Sequence, residues 1–65
     1  MIKKTTVNGF DVSTIRTQWE FETLVFNNNT GDVVEGARYH STSIENALKD
    51  HADAIYALEF KHGKR

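Results

Sequence analysis

Across residues 7–39 apolar positions tend to alternate with polar ones, whereas over residues 42–60 they recur at Ile44, Leu48, His51, Ile55 and Leu58. Alternation is the two-residue period of strands with one covered face. Spacings of four and three trace one stripe of an amphipathic helix, here with a histidine at its centre. The order of the two patterns predicts an α+β fold, a three- to four-stranded antiparallel meander followed by one C-terminal helix packed on one face. Residues 1–65 form a single small domain, with a basic, frayed tail over about 61–65.

Within that plan, residues 3–7 read as a short strand and Asn8-Gly9 as the two-residue turn that follows it, since both residues accept the positive φ of a type I′ turn. Residues 10–17 form the next strand, with Phe10, Val12 and Thr14 on one face. Residues 18–26 then place Trp19, Phe21, Thr23 and Val25 on one face and Glu20, Glu22, Leu24 and Phe26 on the other. One helix covers one face, so Leu24 and Phe26 need a separate explanation: a register-shifting bulge near Thr23, cover by the N-terminal hairpin, or a second subunit. Residues 27–32 hold no apolar side chain and make a hairpin loop, and residues 33–39 return as a strand in which Gly36 marks a bulge or a close crossing. Thr42 with Glu45 fits a capping box, starting the helix near Ser43, and Gly63 stops it. The expected core is Phe10, Trp19, Phe21, Phe26, Tyr39, Ile55 and Leu58.

Length and composition narrow the function classes. A chain of 65 residues lies near the lower limit for a self-sufficient core, so a homodimer is an expected state. The absence of cysteine excludes disulfides and thiolate zinc sites. No apolar run approaches the roughly 18–20 residues that span a bilayer, and Met1 to Lys4 lacks a signal-peptide core, which places the protein in the cytoplasm, with no membrane partner. Five of the eight basic residues (Lys3, Lys4, Lys61, Lys64 and Arg65) sit at the two ends, while Arg16, Arg38 and Lys49 face nine carboxylates between them. An acidic body repels phosphate and suits a basic protein partner.

Candidate chemistry is sparse. His40, His51 and His62 share no metal-ligand spacing, and His51 on the apolar stripe reads as an imidazole bonded to a strand carbonyl or to a Tyr or Thr hydroxyl. Ser41, Thr42 and Ser43 are explained by helix capping rather than by nucleophilic catalysis. Glu20 and Glu22 share a strand face with nothing to enclose a sugar, and cross-strand pairing with Arg16 and Arg38 accounts for them. The four glycines are scattered, so no phosphate-cradling loop is present and no cofactor or metal is expected. Trp19, Phe21 and Tyr39 lack the basic surround of a base-stacking sheet, which makes nucleic acid the lesser partner, reached only through the basic ends.

The run Phe21-Glu22-Thr23-Leu24-Val25-Phe26, followed by Tyr39, Ser41-Thr42, Glu45, Ala47-Leu48 and His51, resembles a pattern of small uncharacterised proteins of phages, prophages and Gram-positive bacteria. There a strand like FETMVF leads through a hairpin to YST and a helix with EEAL and a closing Gly-His. The likeness spans residues 21–51 and departs at Leu24, which stands for Met, at His40, which intrudes before Ser41, and at Asp50, which replaces Gly. It implies a strand-to-helix corner built from Tyr39, Thr42, Glu45 and His51, in a mobile-element setting. The expectation is a non-enzymatic accessory protein acting through protein–protein interaction, with Glu20, Glu22, Leu24 and Phe26 as the interaction surface; the alternative is a small nucleic-acid-binding regulator using its basic termini.

Overall fold

The computed structural model describes residues 1–60. Four strands, β1 (Lys3–Val7), β2 (Phe10–Arg16), β3 (Phe21–Asn27) and β4 (Val33–Ser41), form one antiparallel sheet in the order β1-β2-β3-β4, and one helix, α1 (Ile44–Leu58), packs on it. The fold is therefore the expected α+β meander, with four strands.

Each reversal has a local cause. Asn8 (φ 51°) and Gly9 (φ 84°) both take positive φ, so the β1–β2 hairpin is a type I′ turn with Val7 opposite Phe10. At the β3–β4 loop the Asn27 side-chain oxygen accepts the amides of Asn29 (2.9 Å) and Thr30 (3.2 Å), and the Asn27 amide donates to the Asp32 carbonyl at 2.7 Å. The β2–β3 reversal corrects the expectation that one strand runs through residues 18–26. Thr17 donates its amide to the Glu20 carbonyl (2.7 Å) and accepts the Glu20 amide on its hydroxyl (3.1 Å). An antiparallel neighbour requires a turn, and this one lifts Trp19 to its tip, 83% exposed.

The core also differs from the expected set of large side chains. Val12, Val25, Ala47, Ala54 and Leu58 are buried together with Thr14, Thr23 and His51. Phe10, Tyr39 and Ile55 pack at its margin, Phe21 is partly buried beneath the Arg16 guanidinium (5.9 Å from its ring centre), and Phe26 lies on the opposite face of the sheet. The helix is turned about its axis relative to the expected stripe. Ala47, His51, Ala54 and Leu58 face the sheet, whereas Ile44 and Leu48 are each 42% exposed. Alanines at the contact let the helix settle close to the strands.

The helix cap is Ser43, not Thr42: Ser43 is extended (φ −127°, ψ 151°) and its hydroxyl accepts the Asn46 amide at 3.2 Å. Counting from Ser43, the third helical residue is Asn46, so Glu45 is one place too early for a reciprocal capping box. It serves instead as the acidic residue of the first turn, favourable toward the helix dipole. The expected stop at Gly63 and the basic tail lie outside the described residues.

Candidate interaction surface and a buried histidine network

β3 sorts its side chains by alternation. Thr23 and Val25 are buried toward α1, so Glu22, Leu24 and Phe26 face the side that no helix covers. On that bare face the register sets Leu24 between Ser13 and Arg38, Phe26 between Asp11 and Val33, and Glu22 between Ile15 and His40. Leu24 and Phe26 are partly buried by these neighbours. The register does shift between Leu24 and Phe26, but the extra residues are on β4, around Gly36 (φ 84°), and β3 keeps its alternation. The N-terminal hairpin lies in the plane of the sheet rather than over it. Neither a bulge in β3 nor cover by the N-terminal hairpin accounts for the two side chains, which the neighbouring strands bury in part.

An ionic corner closes one end of this face. His40 Nδ1 lies 2.7 Å from Glu20 Oε2, its Nε2 3.6 Å from Glu22 Oε2, and Arg38 Nε 3.9 Å from the same Glu22 oxygen. The structure thus brings Glu20, Glu22 and Leu24 together with His40 and Arg38. Arg16, expected to pair with the glutamates, instead stacks over Phe21. At the other end the Thr6 hydroxyl (2.6 Å) and the Asn28 amide bond the Asp11 carboxylate and hold its pKa below the usual value. Lys4, Arg38 and His40 are solvent-exposed and their carboxylate partners partly so, and such pairs order the rim of the face more than they stabilise the fold.

Both sheet edges are guarded. β1 carries Lys3 and Lys4, and β4 is broken by the Gly36 excursion, features that discourage strand addition. Beside that excursion lies a mixed polar and apolar groove of about 250 Å³ against the helix, lined among others by Val34, Glu35, Gly36, Tyr39, Ala54 and Leu58. Only Gly36 hinted at it in the sequence.

Inside the sheet–helix layer His51 is 1% exposed and spans two strands. Its Nδ1 is 2.7 Å from Thr14 Oγ1 and its Nε2 is 2.9 Å from Thr5 Oγ1; Thr14 Oγ1 is in turn 2.7 Å from Thr23 Oγ1. A neutral imidazole satisfies this chain by donating at one nitrogen and accepting at the other. Burial, and secondarily the charge of Lys3, push the His51 pKa down. Among the described residues no buried polar side-chain atom lacks a partner. Tyr39 and Thr42 do not bond His51. The hydrogen-bonded link runs from His51 through Thr14 to Thr23, the cross-strand partner of Tyr39.

Among the described residues no His, Asp or Glu cluster is placed to hold a metal, and no helix is long and apolar enough to cross a membrane. Lys3 and Lys4 lie on or beside the β1 edge, while Lys61, Lys64 and Arg65 lie outside the described residues. No family model, no curated protein and no solved structure matches the chain.

Proposed function

We propose that this is a small, non-enzymatic accessory protein that acts in the cytoplasm by binding another protein through its bare sheet face. The observation that carries the reading is the position of Leu24 and Phe26, two large apolar side chains in the middle of the one sheet surface the fold leaves uncovered. Fully burying two such side chains from water contributes about 3–6 kcal/mol, and because strand neighbours already bury part of each, a partner adds only the remaining fraction, with the rest of an interface coming from the surrounding face. Glu20 and Glu22 at the rim favour a partner with basic residues beside an apolar patch. A non-enzymatic role is supported by His51: its two ring nitrogens are engaged by threonines inside the core, away from any substrate. The likeness of residues 21–51 to small phage and Gram-positive proteins supports a phage or mobile-element origin.

Site-specific photo-crosslinking tests the surface. A photoreactive phenylalanine at position 26, in cells that express the protein, is expected to yield a discrete adduct that the same group at Asp32, in the exposed β3–β4 loop, does not give. Equal or diffuse labelling from both positions contradicts the proposal.

A further inference from the structure

The outer surface of α1 carries a feature that neither the core nor the sheet face uses. Ile44, Leu48, Ala52 and Tyr56 on α1, and Phe60 two residues past its end, are spaced four apart, all apolar, and all exposed: 42% for Ile44 and Leu48, 62% for Tyr56 and 58% for Phe60. Residues four apart form a continuous ridge inclined to the helix axis, and here the ridge ends in an aromatic pair, the Tyr56 and Phe60 rings lying 4.4 Å apart. It winds from the edge of the sheet contact at Ile44 to the solvent side at Phe60. A solvated helix surface does not need five apolar residues in one row.

We infer that this ridge is the contact between two copies of the chain, packed as antiparallel α1 helices crossing at about −50° with Ala52 at the crossing point. The shape favours a second copy. Ridge-into-groove packing of this class needs a four-spaced ridge on both helices, and an identical chain supplies the same one. The helices come closest at the crossing, where the smallest residue sits; they diverge toward the ends, where Ile44, Leu48, Tyr56 and Phe60 have the bulk to fill the widening gap.

Charge favours it as well. The row beside the ridge holds Glu45, Lys49 and Asp53, with Lys49 and Asp53 bonded at 3.0 Å within one chain and both exposed. With the helices antiparallel about Ala52, this row faces its own copy. Lys49 then comes within roughly 3 Å, measured along the axis, of Asp53 of the partner subunit, and the pair repeats by symmetry. The two Glu45 residues fall at opposite ends, separated by roughly 20 Å along the axis, beyond the screening length at physiological salt. The small core, in which three of the eight buried residues among those described are polar, leaves room for stabilisation by a second copy. This contact is independent of the sheet face and leaves it free.

Sedimentation equilibrium over a micromolar to millimolar series tests the inference. The wild-type chain is expected to dimerise. Ala52→Arg, at an exposed site where arginine keeps good helix propensity, should weaken the dimer at least tenfold with unchanged circular dichroism. Lys49→Asp should weaken it as well, and the swap Lys49→Asp with Asp53→Lys should restore it. Phe26→Asp should leave it intact. A wild-type monomer throughout the series overturns the proposal, as does a dimer that Phe26→Asp dissolves and Ala52→Arg does not.

Discussion

Acid should loosen this fold through His51. The imidazole is buried against Thr5 and Thr14, and the helix-facing positions of β1, β2 and β3 carry no carboxylate, only the cations of Lys3 and Arg16. A protonated ring there would gain no counter-charge from the sheet. In the unfolded chain the same ring titrates at its ordinary value of 6.5, whereas in the folded chain burial holds its pKa lower. Below pH 6.5 the unfolded state therefore binds more protons than the folded state, and stability falls as pH falls; well above 6.5 both states are neutral and the effect vanishes. Linkage bounds the loss at pH 5.5 at RT ln(1 + 10), about 1.4 kcal/mol relative to neutral pH, the limit in which the folded ring takes up no proton. At a urea m-value of about 1 kcal/mol per molar, the midpoint should drop between pH 7.5 and 5.5, by up to about 1.4 M. The measurement is a set of urea curves in a His40→Gln, His62→Gln background, which leaves His51 as the only histidine, with its ring resonances followed by NMR. A ring that titrates at its ordinary value, or a midpoint that does not move with pH, refutes the reasoning.

Three further outcomes follow from the same geometry. Thr14→Val keeps the side-chain shape but strands His51 Nδ1 and removes the bond to Thr23, and should cost about 1–3 kcal/mol in urea unfolding. Ser43→Ala should lower stability by about 1 kcal/mol while Thr42→Ala changes it by less than about 0.5 kcal/mol, a contrast that thermal melts resolve and that assigns the cap. Gly36→Ala should destabilise by about 1 kcal/mol or more through backbone strain alone, because φ is 84° and an added Cβ meets nothing within 4 Å; chemical denaturation reads it directly.

Much of the architecture was legible from short-range chemistry. Asn8-Gly9 specifies its own turn, and the change from alternation to helical spacing after Tyr39 separates sheet from helix. The helix face was harder, for a physical reason. Ile44, Leu48 and Ile55 lie beside the row of Ala47, His51, Ala54 and Leu58 at the same period, and hydrophobicity alone favours the larger residues, whereas close packing on a sheet favours the alanines. Trp19 was misread because alternation continued through a turn that Thr17 and Glu20 make with their backbone and one hydroxyl. Thr14 and Thr23 looked like ordinary strand residues. Their burial follows from His51, which brings two polar nitrogens into the core and must find partners there. Leu24 and Phe26 stood out in the sequence as apolar residues on the wrong face, and the structure places them on the bare side of the sheet.

The account stands or falls on that face lying outside the monomer's own core. The unfolding curve of Phe26→Asp tests it most directly: a protein that still unfolds cooperatively is the predicted result, weakened by about 1–3 kcal/mol because the site is partly buried and the new charge faces Asp11 across the strands. A chain that cannot fold with aspartate at position 26 would place Phe26 in the core and contradict the account.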